Sequence, residues 1–190
     1  MQVFPDGSCE FSGDEVLAHA GYGLSFGGLP QSPKDFGPVK SSAQTSYRCD
    51  LRGIAQALAR CKVPVVIYCD CLSIVNQLNT YMDEKITQID CPASELWRFI
   101  EAAIDIRETG DLVIRWTPSH LDDAGNEEKR RKYLSNGVTN LACIAANARA
   151  DELAAAGVRS HGIPAIDLLL AHDRSQLSRI IQNHIIQDRL

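Results

Sequence analysis

The stretch VPVVIYCD, residues 63–70, limits the architecture more than any other. It is short, β-branched and apolar on both alternating sides, the pattern of a strand covered on both faces, and it ends on a carboxylate. Helical spacing follows through Leu72, Val75 and Leu78, a second helical stretch occupies 93–108, and then a strand pattern returns in DLVIRWTP, 111–118. Strand, helix and strand in that order imply parallel neighbours in one sheet, joined by a right-handed crossover. The chain therefore reads as α/β.

Upstream, residues 2–9, 16–27 and 38–46 read as three strands, with Gly27-Gly28, Pro30 and Pro33 marking a loop. Short loops make these strands antiparallel neighbours. Leu51, Ile54, Ala55, Leu58 and Ala59 recur at helical spacing and predict a helix over 48–61. Beyond the last strand lies a polar segment, 119–138, which holds the charged run Glu127 to Lys132. A helix is expected at about 140–156, stopped by Gly157, and a final amphipathic helix at about 173–188, set off by Gly162 and Pro164. The expected product is a mixed sheet of about five strands with helices on its faces.

The chain has 190 residues, 45% of them hydrophobic, enough for one domain with a real core. No apolar run approaches the roughly eighteen residues of a membrane span. The start, MQVFPDGSC, lacks the layout of a signal peptide, so an intracellular setting, cytoplasm or nucleus, is expected. Seven scattered cysteines with no CxxC pair argue against a disulfide framework or zinc knuckle and suit reduced thiols. A net charge of −5 argues against nucleic-acid binding by bulk basicity. It leaves open a nuclease whose site is built from carboxylates, because bound cations change the local sign.

Four acids stand out by position. Asp6 lies on the first strand, Asp50 at the start of the first long helix and Asp70 at the end of the buried strand. Asp151 interrupts an alanine-rich helix, NARADELAAAG, where aspartate is a poor helix former and a surface charge is the simpler reading. Carboxylates brought together at one edge of a sheet repel one another unless a cation sits between them. All-oxygen ligands favour Mg²⁺ or Mn²⁺. Two such ions about 4 Å apart support in-line hydrolysis of a phosphodiester.

Five segments, taken in order, resemble the ribonuclease H family, especially the domains that accompany reverse transcriptases in retroelements. PDGSC, 5–9, is similar to the first-strand motif, RCDLRGIAQAL, 48–58, to the acidic helix start, and IYCDCLSIVNQL, 67–78, to the strand ending on the third acid. IRWTPSH, 114–120, resembles the strand that runs into the loop with the family's catalytic histidine, and NARADELA, 147–154, the Asn-x-x-Ala-Asp signature. The resemblance spans about residues 1–157. It implies the sheet order 3-2-1-4-5 with helices on both faces. It further implies that Asp6, Asp50, Asp70 and Asp151 bind two metal ions, Mg²⁺ or Mn²⁺, and that His120 assists proton transfer or product departure. Gly7, Ser8, Ser46 and Asn76 become expected substrate contacts, with the Ser46 hydroxyl placed to bond a ribose 2′-OH. The implied activity is hydrolysis of the RNA strand of RNA–DNA hybrids, leaving a 3′-hydroxyl and a 5′-phosphate. On this reading residues 1–160 form the catalytic domain. Residues 161–190 form a helical extension that packs on it or links it to a polyprotein carrying a reverse transcriptase, and the domain is a monomer.

The sequence also departs from the family pattern. Asp50 stands where Glu is usual, shortening the reach by about 1.5 Å. Pro5 replaces the usual Thr and removes an N–H from a central strand, which predicts a bulge or a lost hydrogen bond. Cys71 replaces the Ser after the third acid. His120 and Asp151 are 31 residues apart, a longer gap than in compact members, and no basic Trp-rich helix follows residue 82. Two readings of Lys129-Arg130-Arg131-Lys132 stay open: contact with the hybrid's phosphates, or a solvated helix face. Trp97 and Trp116 are expected in the core or over the sheet, and Asp122 and Asp123 as loop charges. A domain that keeps the fold and binds nucleic acid or a partner protein without cutting is the competing function.

Overall fold

The structure is a computed structural model of the chain and describes residues 1–12, 18–27, 29, 31–41, 44–62, 64–88, 91, 93–162 and 165–187. Val16, Leu17, Gly28, Pro30, Ser42, Ala43, Val63, Pro164 and Asp188, which the sequence reading uses, lie outside the described residues. The chain divides into two compact units, Met1–Ser160 and His161–Leu190.

The first unit is built on five strands: β1 (Gln2–Glu10), β2 (His19–Ser25), β3 (Lys34–Pro38), β4 (Val65–Cys69) and β5 (Leu112–Trp116). Their order across the sheet is β3-β2-β1-β4-β5, as the resemblance implies. The hairpin strands β1, β2 and β3 pair antiparallel, while β1–β4 and β4–β5 pair parallel. The parallel part is the part fed by crossovers, through α1 (Ser46–Arg60) before β4, and α2 (Leu72–Glu84) and α3 (Ser94–Asp105) before β5. Next come α4 (Glu127–Ser135) and α5 (Leu141–Arg159).

Adjacent residues on β1 show that both faces are covered. Val3 belongs to a core with Leu51, Ile54 and Leu58 of α1, whereas its neighbour Phe4 packs with Cys143, Ala146 and Ala150 of α5. Successive side chains on a strand point to opposite faces, so α1 and α5 lie on opposite sides of the sheet. The helical spacing read from Leu51, Ile54, Ala55 and Leu58 is the buried stripe of α1. Thr45 caps that helix by accepting from the Arg48 N–H at 3.2 Å. Trp97 is fully buried, and its indole N–H donates to the Tyr47 hydroxyl at 3.0 Å.

Four expectations are corrected. The third strand lies at Lys34–Pro38, ahead of the expected 38–46. It is an edge strand, where a proline such as Pro38 is tolerated, so Gly37-Pro38 close a strand instead of opening one. The polar segment 119–138 contains a helix, α4, none of whose residues is buried, so no apolar periodicity announces it. Gly157 does not stop α5, which continues to Arg159. A Cβ at Gly157 would lie 2.6 Å from the Gly37 carbonyl oxygen, so glycine is there to let helix and sheet touch. Pro5 makes no bulge: Phe4, Pro5 and Asp6 pair in unbroken register with Ser25, Leu24 and Gly23. The pairing of β1 with β4 covers Gln2 and Val3 and has ended before Pro5.

The second unit holds α6 (Ala165–Gln187), longer at its start than the expected 173–188. Leu169, Leu177 and Ile180 on it are exposed. Among the described residues, no helix is long and apolar enough to cross a membrane.

Candidate active site

Asp6, Asp50 and Asp70 come together from three elements. Asp6 sits in the middle of β1 and is buried, Asp50 is in the first turns of α1, and Asp70 follows directly on the last residue of β4. One carboxylate oxygen from each lies within 4.8 Å of the others. Gly7 makes this approach possible. A Cβ on Gly7 would fall 2.4 Å from the Cys49 Cβ and 2.5 Å from the Asp50 nitrogen, so any larger residue would push α1 off the strand. The Gly7 N–H donates to Asp6 Oδ1 at 2.7 Å and also bonds the Asp50 carboxylate. At Asp70 the backbone is held from the side, because the Trp116 indole N–H donates to the Asp70 carbonyl at 3.0 Å.

Burial and mutual repulsion act on all three carboxyls. Burial pushes Asp6 well above the ordinary carboxylate range, and the charges of Asp70, Asp50 and Asp151 push it further against the Gly7 N–H. Burial, then the charge of Asp70, raises Asp50 to about 8, with Cys71 and the Gly7 N–H opposing. Asp70 is raised by burial and by the charge of Asp151, and is held back by a hydrogen bond from Asn147 and by the His120 ring. A group of acids that cannot all ionise alone is a site suited to a cation.

Asp151 lies outside this trio. It is half-buried on α5, near enough for its charge to act on Asp6 and Asp70. One turn earlier on the same helix face, Asn147 is buried, and its side-chain amide favours the charged form of Asp70. Its Oδ1 is buried without a hydrogen-bond partner. Sequence reasoning gave Asn147 no role, although it opens the NARAD segment four residues before Asp151. The alanine-rich helix can reach the sheet because Gly23 of β2 offers no side chain: a Cβ there would be 2.3 Å from the Ala150 carbonyl.

His120 is exposed, with backbone φ of 54°, in the loop after β5. Its carbonyl accepts from the Asn126 amide at 2.7 Å, and its Nδ1 is 3.6 Å from Asp123, so Asp123 has a partner in that loop. Ser46 is exposed as the first residue of α1, and Asn76 is exposed on α2. Ser8 is half-buried, and its carbonyl accepts from the Cys49 thiol at 3.3 Å. Cys71 precedes α2 and reaches both Ser73 Oγ, at 3.3 Å, and the Asp50 carboxylate. All seven cysteines are free.

A sequence model of the family described as RNase H matches residues 1–131, more than half of the chain. The chain belongs to the RNase H family. The match ends short of Asn147 and Asp151, whose place in this RNase H domain rests on the geometry above. The solution structure of the prototype foamy virus RNase H domain matches with a TM-score of 0.59 at 16% identity, over 83% of this chain and 93% of that one. A foamy viral protease–reverse transcriptase in complex with dsDNA matches at 0.56 and 15% identity, over 83% and 92%. A foamy viral protease–reverse transcriptase in complex with an RNA/DNA hybrid matches at 0.56 and 14%, over 85% of this chain and 20% of that one. At such identities the likeness is one of fold. No curated protein sequence matches the chain.

The residues of this RNase H domain fit a hard divalent cation. The donor set is three carboxylates whose ligand atoms lie within 4.8 Å of one another, with a further carboxylate, Asp151, and a buried amide oxygen without a partner, Asn147 Oδ1, on α5. The burial that raises each acid is offset when a cation neutralises them.

Proposed function

We propose that this domain hydrolyses the RNA strand of RNA–DNA hybrids in a reaction that depends on Mg²⁺ or Mn²⁺, two ions per site. The observation that carries this reading is the trio Asp6, Asp50 and Asp70, three acids with ligand atoms within 4.8 Å of one another on an RNase H fold, Asp6 buried and Asp70 half-buried. When bound, the metal supplies Lewis acidity at the scissile phosphate. Asp6, Asp50 and Asp70 hold it, and Asp151 completes the ligand set from α5. Asn147 fixes the rotamer of Asp70 through its amide. Water attacks phosphorus, the bond to the 3′-oxygen breaks, and that oxygen takes up a proton, leaving a 3′-hydroxyl and a 5′-phosphate. His120, exposed and close enough to act on Asp70, exchanges protons with solvent at this edge. The Ser46 hydroxyl reads a ribose 2′-OH, while Gly7, Ser8 and Asn76 line the approach of the hybrid.

The fold likeness to foamy viral reverse-transcriptase proteins supports an origin in a retroelement polyprotein, with the reverse-transcriptase portion as covalent neighbour. Free thiols support a reducing compartment, cytoplasm or nucleus, and the domain acts as a monomer. The test is cleavage of a labelled hybrid in Mg²⁺ or Mn²⁺, with Asp70→Asn as control. Metal-dependent product from the native chain alone is expected, and equal product from both would overturn the reading.

Asp50 favours a second reading, a domain that binds without cutting. Its carboxylate is about 1.5 Å shorter in reach than Glu. Asp50→Glu separates the two. A rise in rate of up to about a hundredfold marks an enzyme limited by that reach, and no product from either form marks a binding module.

A further inference from the structure

The element α4 owes its position to something other than the core. None of its residues is buried, yet Tyr133 packs edge-on against Trp116, ring centroids 6.0 Å apart. Trp116 is the residue whose indole N–H holds the Asp70 carbonyl. Through two aromatic rings α4 is therefore moored to the strand end that carries the candidate site, immediately after the His120 loop. It presents Lys129, Arg130, Arg131 and Lys132 in a row, in a chain whose net charge is −5. Lys129, Arg131 and Lys132 are exposed.

Part of the chain's positive charge is spent on carboxylates. Arg48, Arg60 and Lys85 each pair with a carboxylate, from Glu95, Asp35 and Asp105. Among the described residues, Lys129, Arg131 and Lys132 make no such pair within 4.0 Å. Glu127 instead bonds the Gly125 N–H, at 3.1 Å, and spends its carboxylate on the turn before the helix. Lys129, Arg131, Lys132 and Tyr133 line a concavity together with Gly125, Ser135 and one carboxylate, Glu128, so three cations there face a single acid. Unpaired cations, a concave surface and a rigid mooring to the site are what a phosphate backbone requires of a protein.

We infer that α4 is a backbone-gripping element: Lys129, Arg131 and Lys132 bind phosphates of the nucleic-acid duplex whose scissile bond lies at the acidic trio. This deepens the proposed function and rests on it for the identity of the duplex, an RNA–DNA hybrid. The geometry also explains how an acidic chain holds a polyanion. Its overall charge repels the duplex, and one helix concentrates the attraction beside the site.

The test is the salt dependence of binding to a labelled RNA–DNA hybrid, in the full chain carrying Asp70→Asn so that the hybrid survives. Replacing Lys129, Arg131 and Lys132 by Gln should lower the slope of log affinity against log salt by about 2–3 and weaken binding on the order of tenfold or more at 100 mM salt. A control removes three exposed cations elsewhere, Lys34, Lys62 and Arg159. A wild-type slope in the α4 variant, or an equal change in the control, overturns the inference. Circular dichroism checks folding, and Lys129→Glu with Lys132→Glu gives an independent second variant, expected to weaken binding further. The outcome is separable from the nuclease reading: a native chain that binds the hybrid but never cleaves it sinks that reading and leaves this one standing.

Discussion

At the scale of single residues, Asp50 carries the most information. By the resemblance it stands where Glu is usual, one methylene shorter, and its carboxylate comes within 4.8 Å of those of Asp6 and Asp70, with Gly7 letting its helix approach closely. Its pH behaviour follows from burial. The folded carboxyl titrates at about 8 against an ordinary 3.8, so between those values the folded chain binds a proton that the unfolded chain has released. Stability from this group is therefore full at low pH and is lost as pH rises through about 8. A cation reverses the loss, so Mg²⁺ should raise the melting temperature more at pH 8 than at pH 5, and Asp50→Asn should remove most of that difference. Melting curves at the two pH values decide it, and a metal response independent of pH counts against the site. Asn147→Ala should weaken metal affinity by about 10–100-fold through Asp70. Calorimetric titration with Mn²⁺ reads this directly, and native affinity in the variant would remove Asn147 from the site.

At the scale of elements, the sheet and its two covering helices are held by places where side chains are missing. Gly21 and Gly23 of β2 face α5, where a Cβ would lie 2.3 Å from the Val158 nitrogen or the Ala150 carbonyl. Gly23→Ala should therefore lower stability by about 3 kcal/mol or more, because backbone cannot yield as a side chain does. Chemical denaturation measures it, and a change under about 1 kcal/mol would show that α5 slides without cost. The same substitution should shift α5 and draw Asn147 and Asp151 from the trio. Helical spacing made α1 and α2 legible, because each buries one stripe. It could not reveal α4, which buries none, nor the passage of α5 through Gly157, because a glycine at a helix–sheet contact looks in sequence like a glycine at a helix end.

At the scale of the whole molecule, the contacts cluster into Met1–Ser160 and His161–Leu190, and every member of the candidate site falls in the first. A chain ending at Ser160 should unfold cooperatively and keep the metal-induced rise in melting temperature. Loss of either in the shortened chain, read by thermal melting with and without Mn²⁺, would make residues 161–190 part of the folding unit. The mixed sheet could be anticipated from strand–helix alternation, because parallel neighbours need crossovers and tight loops make hairpins, whereas its order came from the family resemblance of five segments.

The sequence by itself determined the α/β class, the buried stripes of α1 and α2 and the four acids that stand out by position, Asp6, Asp50, Asp70 and Asp151. These are properties of local periodicity and of residue type, and they survive in any one-dimensional reading. Only the tertiary structure decided that Asp6, Asp50 and Asp70 share one point while Asp151 stands aside, that Asn147 reaches Asp70, and that Trp116 ties a basic helix to the same strand end. The physical reason is distance. Burial and charge set the chemistry of a carboxylate through neighbours tens of residues away in sequence, and those neighbours are fixed by how closely helices pack on glycine-lined strands.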